Sequence, residues 1–503
     1  MIQLTQDEKP AVRAGVVSTL RRARYAVPAA FALFLLISIP YALTKKPWLD
    51  EALNGSAAYS LVAHGQFGIP QLEESGMTIT NHLPQIQHYC YIFGPNYLFA
   101  AAGWMKVFGY GLMQIRSFSM AWALLAMFAW FVVIERLTRD RFAAALGIFL
   151  LAVNYQFIVE AADGRFDMMC ASLGSIGLAV FLSTREKSLP RAVFLGSFAI
   201  AAAFFTHPMG ALYGMALIWT MLCVDFRRLR FVHAVMFAIP WLLFAGAASL
   251  WISPHRAIAE AQFAAATKAR WIGLAHPIRS LVTDVSQRYL FFFWSGEKSA
   301  VNHLKGLILV VHVLFIFGGL WIRQVRSTLA YRVLAPCVLI LYCGIALLDA
   351  FKWPYYMVHI FVFASAVVAI TAARLRFTPL RLPAAAAVAV LALVEVGGIG
   401  AKIHLNQYRN EFVPTIAYIR AHSSPSDYIE GEMPLNFGLG YSNPQFHMDN
   451  RMGYYTGIRP ALIVTGQFAD LDYIRDHEPA VYRFIRHRLD FEYRQVAQYG
   501  DYK

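Results

Sequence analysis

At 503 residues, with 58% hydrophobic and only 15% charged side chains, the chain is too apolar for a soluble globular protein. In such proteins charged residues alone run near ~25%. The formal charge of +14 does not point to nucleic acid, because the basic residues are scattered in short clusters between apolar runs. That distribution is the mark of cytoplasmic loops in a membrane protein.

Arg21, Arg22 and Arg24 precede the first apolar run, 26–43. The run is long for a signal peptide and lacks a small-x-small cleavage site before Pro47. It reads as a retained anchor helix with a cytoplasmic N-terminus. A membrane span needs ~20 mostly apolar residues. On that measure the chain offers about eleven, at 26–44, 115–134, 142–158, 168–183, 192–206, 209–224, 232–252, 306–322, 333–348, 355–372 and 384–401.

The apolar segment 91–108 is interrupted by Gly94, Pro95, Asn96 and Lys106. Read as a juxtamembrane helix within one outer loop, 45–114, it puts every basic cluster from Arg136 to Arg381 on one side. Counted as a span, it would put them all outside, against the positive-inside rule. The first reading sends four sets of residues to the outer face: Asp50 and Glu51; Asp163, Arg165 and Asp167; His207; and Lys352. A segment at 253–305, with helical periodicity in parts, is expected to cover that face or lie along the interface.

After residue 401 the composition turns polar and aromatic. Residues 412–421 and 471–489 read as helices, and 427–432 and 461–464 as short strands. The division expected is a transmembrane domain, 1–401, and a small extracytoplasmic α/β domain, 402–503. Cys90, Cys170, Cys223, Cys337 and Cys343 show neither a disulfide framework nor metal-finger spacing, and read as small buried hydrophobes.

The Asp50-Glu51 pair lies just past the end of the first apolar run, where a carboxylate is costly to hold near hydrocarbon. Moving a sugar from a lipid phosphate to a hydroxyl needs a base for the acceptor proton, cations for the leaving phosphate and a groove for the lipid. Asp50 suits the first task and Arg165, His207 and Lys352 the second. Helix capping by Asp50 or Asp167 is the plainer alternative.

The stretches PWLDEALNGSAAYSLVAHGQFG, NHLPQIQHYCYIFGPNYLFAAAGWMKVFGYGLMQIRSFSM and EAADGRFDMMCASLGSIGLAVFL resemble the GT-C glycosyltransferases. The likeness is to the branch with protein O-mannosyltransferases and the lipid A aminoarabinose transferase, with TKARW and KWPYYMVHIFVFA as looser matches. It covers most of residues 26–372. The resemblance implies a polytopic α-helical protein in the cytoplasmic (inner) membrane. It further implies inverting transfer from a polyprenyl-phosphate-linked sugar to a lipid, glycan or protein acceptor on the outer face.

Asp50 falls on the family's catalytic aspartate, Glu51 completes its acidic pair, and Asp167 falls on the acidic position of the second outer loop. Arg165 is expected at a phosphate or, equally, as the counter-charge to Asp163 and Asp167. His207 stands where relatives often carry a lysine, and Lys352 matches the lysine before the paired aromatics, Tyr355 and Tyr356. His82 and Arg116 match a His-Pro stretch and the arginine opening the next span. Asp50, Asp163 and Asp167 could hold a divalent cation (Mg or Mn); the basic residues could instead neutralise the phosphate without metal. A transporter or flippase is the rival reading, but transporters place charged sites mid-membrane on repeated broken helices, and no repeat is visible here.

Overall fold

The computed structural model describes residues 8–72, 78, 83–267, 272–295, 300–466 and 471–503. His82 lies outside them. Nine helices among the described residues are long and apolar enough to cross a membrane, or ten if one bent pair counts as a span. The principal elements are α1 (Glu8–Thr44), α2 (Leu49–His64), α3 (Pro95–Phe108), α4 (Leu112–Thr138), α5 (Arg141–Val153), α6 (Tyr155–Ala161), α7 (Phe166–Thr184), α8 (Leu189–Thr206), α9 (Gly210–Asp225) and α10 (Phe231–Ile252). Further on come α11 (Ala300–Trp321), α12 (Leu329–Leu348), α13 (Met357–Leu375), α14 (Arg381–Leu405) and α15 (Val413–His422).

Two of the eleven expected spans differ from expectation. The run 142–158 is not one straight helix, because Asn154 ends α5 and starts α6 across a 65° bend. Asn154 caps α6 by accepting from Phe157 N and donates to Glu395 on α14 at 2.9 Å. The expected span 209–224 is α9, a helix of 16 residues, about 24 Å long and short of a ~30 Å hydrocarbon core. At the centre, α13 is enclosed on every side, which suits its largely apolar sequence, with His359 and Ser365 as buried polar exceptions.

The segment expected to cover the outer face begins as a continuation of α10, so that Phe231–Thr267 forms a helical run of 37 residues. The compositional change at 402 likewise falls within a run, Arg381–His422, where Asn406 takes a left-handed conformation (φ +42°) between α14 and α15.

Beyond α15 lies a three-stranded parallel sheet, β1 (Ile429–Glu430), β2 (Phe446–His447) and β3 (Leu462–Ile463), in the order β2-β1-β3. The β2 strand was not expected. Ile429 pairs with both Phe446 and Leu462, and Phe412, Ile416 and Leu435 pack over the sheet. The helix expected at 471–489 is two helices, Leu471–His477 and Pro479–His487, because Pro479 cannot continue the first.

This C-terminal part sits directly on α2. Tyr59 stacks on Tyr441 at 5.1 Å, and Met448 N donates to Gln71 O at 3.0 Å. Lys46, just before α2, pairs with Glu411 at 3.0 Å and with Asp501.

Candidate active site

The helix α2 starts immediately after the turn 45–48 and ends at Gly65, whose φ of +71° needs a residue without a Cβ strain penalty. Asp50 and Glu51 occupy its first turn, where the helix dipole favours acids. Adjacent residues point ~100° apart on a helix, and the two carboxylates part accordingly.

Glu51 turns inward and is fully buried. Arg116 Nε and Nη2 donate to its Oε1 and Oε2, each at 2.8 Å. Trp48 N donates to Oε2 at 2.8 Å and Gly164 N to Oε1 at 3.2 Å. Burial alone would raise its pKa, but the Arg116 guanidinium and the Lys45 ammonium outweigh it and hold the carboxyl below its ordinary range. Arg116 also donates to Ala42 O, Lys45 O and Lys46 O, tying the end of α1 to the start of α2. Both residues therefore position the loop.

Asp50 turns outward. Its side chain is 29% exposed, and Arg165 Nε lies 3.2 Å from its Oδ2. Arg165 precedes α7 in extended conformation, and its Nη2 reaches Asp167 Oδ2 at 3.0 Å. The same guanidinium lies flat on the Tyr355 ring, 3.9 Å from the centroid. The Gly164 carbonyl in this turn accepts from Tyr97 Oη at 2.6 Å and from Asn54 Nδ2 at 3.3 Å. The loop before α2 and the turn before α7 are thereby locked together.

Asp167 is fully buried beneath Arg165. Its Oδ1 is 3.5 Å from His359 Nε2 on α13 and 4.0 Å from His207 Nδ1. His207 follows α8 directly and is sandwiched between Phe166 (4.6 Å) and Tyr356 (5.3 Å). Asp163 pairs with Lys45, and Glu160 lies within electrostatic reach of Arg165, Asp167 and Lys45. Burial lowers the Lys45 ammonium to a pKa of about 8.

Asp50, Arg165, Asp167, His207, Tyr355 and Tyr356 thus form one cluster, with Glu51 and Arg116 beneath it. Lys352 stands apart. It is buried, and Nζ donates to Ser280 Oγ at 2.9 Å and Ala346 O at 2.5 Å, with Asp284 Oδ1 at 3.4 Å. Burial lowers its pKa, opposed by Asp284. Arg288, also buried, joins Asp284 (3.0 Å) to Asp349 (2.9 Å) beside it. This second charge cluster braces the turn before α13, and the ammonium expected at a phosphate is spent within it.

The three carboxylates expected to share a divalent cation do not form a ligand set. Asp163 is paired with Lys45, and Arg165 occupies the space between Asp50 and Asp167. Three participants went unnoticed in the sequence. Glu160 opens the stretch EAADGRFDMM and His359 lies in KWPYYMVHIFVFA, yet neither was singled out there, and Cys170 was read as a plain core residue. Its position three residues after Asp167, on the same helical face, was the available signal. A separate cleft of about 1400 Å³ lies in the C-terminal part, lined by Tyr418, Tyr428, Arg459 and Tyr493 among others, and by none of the Asp50 cluster.

No family model and no curated protein matches the chain. Solved structures do. ArnT from Cupriavidus metallidurans in the apo state aligns with a TM-score of 0.55 at 15% identity, over 92% of this chain and 95% of that one. The same protein bound to undecaprenyl phosphate aligns at 0.50 and 16%, over 90% and 94%. The oligosaccharyltransferase AglB from Archaeoglobus fulgidus, in complex with an inhibitory peptide and a dolichol-phosphate, aligns at 0.51 and 14%, over 93% and 68%. The chain has the fold of the GT-C membrane glycosyltransferases. Among its similar structures are an aminoarabinose transferase of lipid A and an oligosaccharyltransferase.

Proposed function

We propose that this chain is an inverting glycosyltransferase that moves a hexosyl or pentosyl group from a polyprenyl-phosphate donor to an acceptor hydroxyl at the extracytoplasmic rim of the membrane. The observation that carries this reading is Asp50: a partly exposed carboxylate, fixed by Arg165, at the mouth of an otherwise buried charge cluster. Two similar structures have lipid phosphates in place, undecaprenyl phosphate on ArnT and a dolichol-phosphate on AglB, which supports a donor of that class.

In this mechanism the acceptor oxygen attacks the anomeric carbon as the bond from that carbon to the phosphate oxygen breaks. Asp50 takes the hydroxyl proton, and the phosphate leaves as an anion. Arg165 serves both ends of the displacement. Its Nε and Nη2 hold Asp50 and Asp167, while its Nη1 is buried without a hydrogen bond among the described residues. That donor is expected to meet a phosphate oxygen, where a pre-aimed guanidinium stabilises developing charge without reorganising. Asp167 and Tyr355 keep the guanidinium aimed. The acceptor is a lipid, glycan or protein hydroxyl.

The test is the Asp50→Asn variant, purified and incubated with labelled polyprenyl-phosphate sugars. Wild type should release or transfer label from at least one donor, and the variant should be slower by about 10²- to 10⁴-fold. An unchanged rate in the variant, or wild type inert toward every donor in the panel, would count against the reading.

A further inference from the structure

The outer charge cluster has a floor that the proposed transfer leaves unexplained. Cys170, His207 and His359 each offer one donor atom to a common point, all within 4.8 Å of one another and all buried. They come from three elements: α7, the residue after α8, and α13. Asp167 joins them, its Oδ1 lying 3.5 Å from His359 Nε2 and 4.0 Å from His207 Nδ1.

Two of these groups are buried polar side chains that meet each other only at 3.5 Å, longer than a well-formed hydrogen bond. His359 Nε2 and both Asp167 carboxylate oxygens lack a hydrogen bond of ordinary geometry among the described residues, although Asp167 has the Arg165 ion pair. A buried polar atom without a hydrogen bond costs ~1–3 kcal/mol, so it calls for an explanation, and an ion is one. On its far side, His359 Nδ1 is 3.2 Å from the Tyr213 hydroxyl, the outer contact that orients a metal-bound imidazole. The surrounding charge points the same way. Among the described residues Asp50, Asp163 and Asp167 face Lys45 and Arg165, an excess of one negative charge when the imidazoles are neutral.

We propose that Cys170, His207, His359 and Asp167 bind one zinc ion. One thiolate, two imidazoles and one carboxylate make a four-coordinate set suited to zinc and poorly suited to magnesium or manganese, which prefer oxygen alone. With metal–ligand bonds of about 2.0–2.3 Å, tetrahedral donors sit ~3.5 Å apart, so the present spacing closes by roughly an ångström. Cys170 loses its proton to solvent on binding, and the ion, net of that thiolate, still offsets the negative excess. Four protein ligands leave no open position, so the ion is structural: it pins α7, α8 and α13 together under Arg165. Its presence does not depend on which reaction the chain performs.

The full-length protein, purified in detergent without chelator, should carry about one zinc per chain by elemental mass spectrometry. Cys170→Ser and His359→Gln should each lower the retained zinc at least ~10-fold after dialysis. If either variant fails to fold, the wild type decides: loaded with cobalt(II), it should show a thiolate-to-metal charge-transfer band. Wild type that retains no zinc after reconstitution, retention unchanged in both variants, or a cobalt spectrum without the thiolate band would each overturn the site.

Discussion

Arg116 grips Glu51 through two parallel bonds of 2.8 Å, with both side chains shut away from solvent. The pair explains why two adjacent acids open α2. One neutralises a buried guanidinium that gathers the end of α1, and the other is left to face outward. Removing Glu51 strands Arg116 as an unpaired buried charge, a change that costs about 3–5 kcal/mol. Glu51→Ala should therefore lower the melting temperature of the detergent-solubilised protein markedly, whereas Asp50→Ala should leave it nearly unchanged. Equal melting of both variants would contradict this division of roles.

Arg165 is expected to be irreplaceable by lysine. An ammonium can neither bridge two carboxylates from one planar fork nor lie on the Tyr355 ring as the guanidinium does. With Asp50 no longer held in place, Arg165→Lys should cut the transfer rate by about 10²-fold while the protein remains folded. A lysine variant with wild-type turnover would show that Arg165 has no part in aligning the base.

Gly164 provides a test of the loop rather than of the chemistry. A Cβ there would lie 2.5 Å from Ile115 Cγ1 and 2.8 Å from Cγ2, both on a stiff β-branched side chain at the head of α4. Gly164→Ala should cost ~1–3 kcal/mol by overpacking and should also reduce activity, since Arg165 is the next residue. Removing both γ-carbons with Ile115→Ala should cost less in the Gly164→Ala background than in wild type and should restore part of the activity. No recovery in the double variant would place the effect elsewhere.

The C-terminal sheet carries its own pH dependence. Burial, reinforced by the neighbouring Asp449, raises the Glu430 pKa well above its ordinary 4.5. The folded state then keeps a proton that the unfolded state releases above about pH 4.5, so this residue makes stability fall as pH rises through and beyond that value. Glu430→Gln should gain stability relative to wild type at pH 8 and gain little at pH 4. Thermal unfolding at the two pH values measures the difference, and a gain independent of pH would rule out the titration.

Most of the spans were readable because a hydrocarbon slab permits few solutions: long apolar runs must be helices, and basic loops must stay on one side. What escaped notice depended on partners far along the chain. Asn154 sits in an apolar run, and its bend is stabilised by Glu395, 241 residues away. Lys352 looked free because Ser280 and Asp284 lie in a segment with no motif. Cys170 and His359 are single polar atoms in apolar helices, and only the packing of α7 against α13 reveals that they face the same point. By contrast, Asp50, Arg165 and Asp167 were singled out from motif and position, and the fold joins them through two ion pairs.

Lys46 lies four residues before Asp50, yet its partner Asp501 is 455 positions later in the chain. At about 5–20 residues per second, a ribosome needs roughly 20–90 s to travel that distance. During that interval the nascent protein has already threaded its helices into the bilayer while this contact is still missing. Final seating of the first loop thus waits on late translation, which leaves an interval in which a partly made, membrane-inserted chain carries that loop without its C-terminal anchor.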